Sequence, residues 1–456
     1  MIVADLMWAL GMGLLGAVVF AAIGLVSGTD ETSTLAPITL LVVLLGVPPA
    51  GVLTFFIAGA VAKHMTHAIP TTLLGIPGDT TAVPLLDDAT AMRRLGAPHI
   101  ALRKALAGGF LAALISVPIA VGVASLLAPL AEPVTAVAPY VFVVAAAFVA
   151  YFSPGRWASL VAIVPFALLV AALNGLASDQ LGSSLSISFF LGIAIGPLVV
   201  DLLLSSSRSG RETLPRSGVR TVWLAPDVGT GSRWWPNPLR VLNRRQAATT
   251  VVAAGATSTT FMLSPVAATV LTGEVVGSRI RHPYQRLSTL MAVKNGTTES
   301  TYLAETLIPL VAFGLPLSPV AAGPASPLFN APPVYTVDGE GGGVHNLHTL
   351  LGSWEFLVFG LLGVVLAGLI AYPFAMRYAR AASAWVSRAI SHEALIGAFV
   401  ALIAVVSWYE GGLLGFVVSV TVGAVGGLAN KFLGMTSGVQ FMAYYVAVLS
   451  LPLVLG

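Results

Sequence analysis

Long apolar runs recur through this chain, separated by short polar connections, and they constrain it more than any single motif does. A helix needs roughly 20 apolar residues to cross the hydrocarbon core of a bilayer. Runs approaching or exceeding that length lie near residues 6–27, 37–62, 103–128, 135–152, 157–176 and 187–205, then near 246–272, 353–375, 393–409, 411–428 and 432–454. Of the 456 residues, 57% are hydrophobic and 9% charged, too few charges for a water-soluble surface of ordinary density. The expected fold class is an all-α polytopic membrane protein with about eleven transmembrane helices. No long polar segment suggests an additional soluble domain. The start, MIVADLMWAL, holds Asp5 and neither Lys nor Arg, unlike a cleaved signal peptide, so the first helix is expected to be retained. The chain has no cysteine, which excludes disulfides, thiol catalysis and iron–sulfur ligation.

Lys and Arg accumulate on the cytoplasmic side of short loops, which orients the runs. The connection 28–36 carries Asp30 and Glu31 and no basic residue, and is placed outside; 91–104 carries Arg93, Arg94, Arg103 and Lys104, and is placed inside. The polar interval from Ser205 to Gln246 has eight arginines against Glu212 and Asp227. It reads as a basic cytoplasmic linker, 206–245, between a first half, 1–205, and a second, 246–456. Trp234 and Trp235 suit an interfacial position, so the arginines are taken as a positive-inside loop and no nucleic-acid partner is expected. Arg377, Arg380 and Arg388 mark another inside loop, and NAPPVYTVDGEGGGVHNLHTLLG, acidic and without Lys or Arg, lies outside. The alternation puts the amino terminus inside and the carboxyl terminus outside. Arg279, Arg281, Arg286 and Lys294 fall on the side so assigned to the outside; either the local topology differs or these charges steer an anionic ligand.

Two stretches do not fit a crossing. TTLLGIPGDTTAVPLLDD, Thr71 to Asp88, and AETLIPLVAFGLPLSPVAAGP, Ala304 to Pro324, each hold a Gly-apolar-Pro turn in an apolar setting. They are expected to be re-entrant hairpins, one near 67–88 entering from the cytoplasm and one near 300–325 entering from outside, in an inverted-repeat secondary-transporter architecture. Non-helical backbone at membrane depth survives only where it is buried in protein or lines a wet cavity. Glycine lets the chain reverse and a ligand approach, and the freed amides and carbonyls become ligands for an anion and for Na⁺. The candidate substrate-binding residues are Thr72, Gly75, Pro77, Gly78 and Thr80 at the first turn, with Asn295, Thr297, Thr298, Gly314, Pro316 and Ser318 at the second. Asp79, Glu299 and Thr81 are the candidate ion-coupling residues. The competing reading has the threonines bonding back to their own helices and Asp79 capping a helix. Two further polar clusters, GLVSGTDETST and GATSTTFMLSP, read as an outside loop and as a cavity lining or a helix-packing patch.

LLGIPGDTTAVPLLDDATAMRRLGAPHIALRKALAGGF resembles the signature of the large membrane subunit of tripartite tricarboxylate transporters, and AVKNGTTESTYLAETLIPLVAFGLPLSPVAAGP resembles that family's second conserved stretch. Gly75, Pro77, Gly78, Asn295, Gly314 and Pro316 match the family pattern. Leu317 replaces a glycine, Lys294 an acidic residue, and Asp87-Asp88 an Asp-Gly. The resemblance implies Na⁺- or H⁺-driven uptake of citrate or another di- or tricarboxylate across the cytoplasmic (inner) membrane of a prokaryote, with no other cofactor. It also implies an extracytoplasmic solute-binding protein and a small membrane subunit as partners; a homodimer is expected by analogy with elevator-type transporters. Two alternatives stand: a different anionic cargo, such as a lipid-linked or sugar acid, or a membrane-embedded lipid-handling enzyme. No Walker loop, Gly-x-Ser-x-Gly elbow or His-Glu-x-x-His occurs. His64 and His67, three apart at an expected inside boundary, are a weak metal signal without a third ligand, and neither a catalytic residue nor a metal site is assigned.

Overall fold

The computed structural model describes residues 2–181, 185–206, 235–261, 263–329, 346–389 and 392–451. Most of the basic linker and the stretch 330–345, with His345, lie outside them. The described residues are helical, without a strand. In chain order they form α1 (Ile2–Ile23), α2 (Glu31–Leu44), α3 (Pro49–Ile69, continued by a π turn to Leu74), α4 (Leu86–Arg94), α5 (Pro98–Leu127), α6 (Ala131–Ala136), α7 (Ala138–Phe152), α8 (Trp157–Leu181) and α9 (Ser186–Ser206). Beyond the linker come α10 (Pro238–Val241), α11 (Arg244–Thr257), α12 (Pro265–Gly277), α13 (Pro283–Phe313), α14 (Pro319–Ala322), α15 (Leu347–Leu350), α16 (Ser353–Ala389), α17 (His392–Leu433) and α18 (Ser437–Tyr445). Among these, 6 helices are long and apolar enough to cross a membrane. The chain is a multi-pass membrane protein.

The run 37–62 is not one crossing. Pro48 and Pro49 remove amide donors and force an extended residue before the helix restarts, so α2 ends at Leu44 and α3 begins at Pro49. Trp8 and Met12 lie against Gly51, Phe20 against Gly59, and Gly24 against the Lys63 backbone. Residue numbers rise together along this contact, so α1 and α3 run in the same direction and α2 returns between them. GLVSGTDETST is therefore a buried break rather than an outside loop, with Thr29 and Glu31 to Thr34 enclosed.

The second half repeats the arrangement. Gln246 donates to Ser288, Thr250 packs on Gly296, and Thr257 bonds Ser300, so α11 runs with α13. Thr269 meets Thr298 and Thr272 meets Thr297, so α12 runs against it. The run 246–272 is thus a broken pair too, interrupted at 258–264. Each long helix then ends at a glycine in the left-handed region, Gly75 at φ +70° and Gly314 at φ +63°, where a side chain would be strained. The chain folds back after both.

The helix following each fold-back packs on the other half. Asn295 donates to the Ala105 carbonyl and Ser116 to that of Ser300, so α5 lies along α13 in the same direction. Phe359 faces Thr54 and Gly363 faces Ile57, so α16 lies along α3, again in the same direction. Phe110 covers Gly368 and Val117 covers Gly360, so α5 and α16 are antiparallel. It follows that α3 and α13 run in opposite directions. At Gly108 an added Cβ would lie 2.7 Å from the Ala292 Cα, the kind of backbone approach that small residues permit between membrane helices.

These directions correct the expected threading. The ends carrying Arg93, Arg94, Arg103, Lys104, Arg244, Arg245, Arg279, Arg281, Arg377, Arg380 and Arg388 share one face. The amino terminus with Asp5, the 45–48 break and the start of α16 share the opposite one. Arg279 and Arg281 therefore obey the charge rule once the broken pairs are not counted as crossings, while Lys294 lies away from either face, paired with Asp88 at 2.5 Å. The runs 393–409 and 411–428 lie within α17, divided where Gly411 and Gly412 leave helical geometry and bring Gly415 back against the Ser407 carbonyl.

A chain without cysteine permits a clean check. Cysteines introduced singly as Ala4→Cys and Arg281→Cys should react with a membrane-impermeant maleimide from opposite sides of a sealed vesicle. Labelling of both from one side would contradict the helix directions.

Candidate functional site

The break between α1 and α2 holds the first fold-back in place. Asp30 caps α2 by accepting from the Thr32 amide (3.0 Å), and its other carboxylate oxygen accepts from the Thr80 hydroxyl (3.0 Å). Ser27 donates to the Pro77 carbonyl (2.6 Å), the Gly28 amide to the Gly78 carbonyl (2.7 Å), and the Gly78 amide to the Thr71 hydroxyl (3.2 Å). The tip of the fold-back is consequently Asp79 to Thr81. Gly75 and Ile76 lie at its base, where Arg93 donates to the Leu74 carbonyl (2.7 Å).

Directly beneath the tip is a buried ionic network. The Lys63 ammonium, with no exposed side-chain area, lies 3.0 Å from Glu31 Oε1 and 2.8 Å from Asp79 Oδ2. His67 Nδ1 is 2.8 Å from the same Asp79 oxygen, and Asp79 Oδ1 accepts from the Thr81 hydroxyl (2.7 Å) and the Ala82 amide (3.0 Å). His64 extends the network to the second half. Its Nδ1 is 3.0 Å from Glu299 Oε2 on α13, its Nε2 is 3.4 Å from Glu31 Oε1 without a hydrogen bond, and Tyr302 packs edge-on against its ring at 4.6 Å. His64 Nε2, His67 Nε2, Glu299 Oε1 and the Tyr302 hydroxyl are buried without a hydrogen-bond partner among the described residues. Unmet polar atoms of this kind concentrate at working sites.

Glu31, His67 and Asp79 offer ligand atoms within 4.8 Å of one another, the metal-type arrangement found among the described residues. Lys63 Nζ already stands between the two carboxylates, so the cationic charge there is covalently attached.

The second fold-back is built differently. Ser318 accepts from the Ala321 amide (3.0 Å) and donates to the Glu305 carbonyl (2.8 Å), while Glu305 Oε2 accepts from the Val320 amide (3.2 Å). Glu305 is fully buried and has no ion-pair partner among the described residues. A Cβ at Gly323 would lie 3.5 Å from the Thr32 hydroxyl. The amino end of α2 therefore adjoins both tips.

Of the expected site residues, Gly75, Pro77, Gly78, Asp79, Thr80 and Thr81 gather at the first fold-back, Glu299 reaches the network through His64, and Ser318 sits at the second tip. Thr72 bonds back to the Ala68 carbonyl (2.7 Å). Asn295, Thr297 and Thr298 bond Ala105, Thr272 and Thr269, so they pack α13 against its neighbours and do not face the tips. Gly314 and Pro316 lie at the base of the second fold-back, where Asn346 donates to the Gly314 carbonyl (2.9 Å). Sequence reasoning missed Glu31, Lys63, His64, His67 and Tyr302. The available signal was Lys63 itself, one charge at the end of a long apolar run, which membrane energetics marks as functional by default.

The sequence profile of the tripartite tricarboxylate transporter TctA family matches residues 10–437. The chain belongs to this family. TctA-family proteins are the large membrane component of tripartite tricarboxylate transport systems, which work with a binding protein and a small membrane subunit. Here the match covers both broken pairs, both fold-backs and the network joining them. No curated protein and no solved structure matches the chain.

Removing one partner of a buried charge pair typically costs about 3–5 kcal/mol. Lys63→Met should therefore lower the melting temperature in detergent sharply, and adding Glu31→Gln and Asp79→Asn should recover much of the loss. A Lys63→Met protein that melts like the parent would refute the buried pairing.

Proposed function

We propose that this chain is the permease of a secondary active transporter that moves an organic anion, a di- or tricarboxylate such as citrate, across the cytoplasmic membrane by alternating access. The observation that carries the reading is that the two fold-backs belong to oppositely directed long helices and meet at the amino end of α2, beside a buried ionic network. Two re-entrant hairpins in an inverted repeat place discontinuous backbone at mid-membrane, the arrangement secondary transporters use for substrate and coupling ion. The division into 1–205 and 246–456 joined by a basic linker follows from the same repeat.

Orientation follows from charge. The arginine-rich face is cytoplasmic by the positive-inside rule. The first hairpin then enters from the cytoplasm and the second from outside. The amino terminus lies outside, opposite to the alternation first counted, because each broken pair returns to the face it left. The extracytoplasmic binding protein docks on the face that holds Asp5 and the start of α16.

The site's charge explains why transport is coupled. Asp30, Glu31, Asp79 and Glu299 surround the first tip, against Lys63 and two histidines. An incoming carboxylate meets an acidic surrounding and enters favourably only together with a cation, Na⁺ or H⁺. The Thr80 and Thr32 hydroxyls and the tip amides supply its hydrogen bonds.

Uptake of radiolabelled citrate and related dicarboxylates into proteoliposomes, with binding protein and small subunit present, tests this reading. Gradient-dependent accumulation is expected, and Gly75→Ala should reduce it at least about tenfold, since a left-handed Cβ costs roughly 1–2 kcal/mol and would collide with the Arg93 guanidinium. Absence of accumulation for every carboxylate would move the assignment to a different anionic cargo.

A further inference from the structure

We infer that the coupling ion of this chain is the proton, and that it is bound between His64 and Glu299, where it ties the two halves together. The inference rests on the transporter reading above and selects between the two cations that reading allows.

Three observations lead to it. A sodium site at the first tip would use the carboxylate oxygens of Glu31 and Asp79, and the Lys63 ammonium stands 3.0 and 2.8 Å from them. A second monovalent cation so close to that ammonium would be strongly repelled in a buried site. Lys63 fills the cation position permanently, so no ion exchanges there.

Second, His64 is the side chain through which the network passes from α3 to α13. Its Nδ1 meets Glu299 at 3.0 Å, while its Nε2 faces Glu31 at 3.4 Å unbonded. A neutral imidazole has one N–H and serves one of these carboxylates. The imidazolium has two and serves both. The Nδ1 contact already crosses from α3 to α13; uptake of one proton by the ring, with no other bond made or broken, adds a second N–H toward Glu31, so that one side chain joins a carboxylate of each half.

Third, the groups around His64 set a consistent balance. Glu31 faces it from α2, Lys63 and His67 adjoin it on α3, Asp79 lies beyond them on the fold-back, and Glu299 and Tyr302 face it from α13. Lys63 answers the charge of Asp79 and part of that of Glu31. Glu299 has no other cationic partner among the described residues, and its Oε1 is buried and unbonded. The proton on His64 is its counter-charge. Losing that proton leaves Glu299 a buried carboxylate with no counter-charge among the described residues, so the carrier without its proton is disfavoured.

The test uses the reconstituted three-component system in sealed vesicles. Citrate uptake should follow an inside-alkaline pH gradient without Na⁺ and should not respond to a Na⁺ gradient at clamped pH. His64→Gln and Glu299→Gln should abolish gradient-driven accumulation yet retain citrate–citrate exchange, which needs no net proton movement. A readout independent of transport accompanies this: the melting temperature of the purified protein in detergent should be the same in NaCl and choline chloride, should vary with pH, and should lose most of that variation in His64→Gln. Sodium-driven uptake at clamped pH, stabilisation specific to Na⁺, or an unchanged pH response in both variants would overturn the inference. Failure of the parent system to move or exchange any carboxylate would instead overturn the transporter reading, with the melting data still deciding which cation is bound.

Discussion

One ammonium group organises the polar interior of this protein. Lys63 is buried in a span whose apolar surroundings make an unpaired charge prohibitive, and it is tolerable only because Glu31 and Asp79 approach it from two other segments. To bring Glu31 there, α1 and α2 must break at the level of Lys63. To bring Asp79 there, the chain beyond Leu74 must reverse. The irregular backbone of the first half is thus tied to a single electrostatic requirement, and the amides and carbonyls it frees are what a ligand can use.

The second half answers a different requirement with the same outline. Its fold-back is fixed to α13 through Glu305 and Ser318, without a cation, and its broken pair packs through threonine–threonine bonds in place of charges. The repeat is one of backbone path, not of chemistry. The acidic and basic groups concentrate at the first tip, and His64 is where the second half gains access to them.

Much of the fold could be read from composition and hydropathy, because apolar length follows directly from bilayer thickness. The two fold-backs were legible as well, since the Gly-Ile-Pro and Gly-Leu-Pro turns have no use in a simple crossing. The broken pairs were not. Pro48-Pro49 sits inside an apolar run that averages out as a span, and Ser258 to Ser264 reads as a polar patch in a helix. Counting each pair as one crossing put the amino terminus on the face of Arg93 and Arg377, and Arg279 to Arg286 on the other, whereas the helix directions place them the opposite way round relative to one another. At the site, Asp79 and Glu299 were visible as charges in apolar sequence, but their connection was not, since it runs through Lys63, Glu31 and His64, from segments far apart in the chain. Asn295, Thr297 and Thr298 bond Ala105, Thr272 and Thr269, and a hydroxyl or amide used to pack membrane helices has the same sequence appearance as one that binds an ion.

The sequence separations within the network bear on how such a chain can be made. Lys63 finds Glu31 at a separation of 32 residues and Asp79 at 16, so both counter-charges are available once the first three helices and the turn after them have been made. Glu299 is separated from His64 by 235 residues. The early charges are settled locally and at once, whereas the contact joining the halves forms only after most of the protein has been inserted. The lysine's partners thus lie near it in the chain, and the ionic contact that waits for most of the protein to be made is the one assigned to hold the coupling proton.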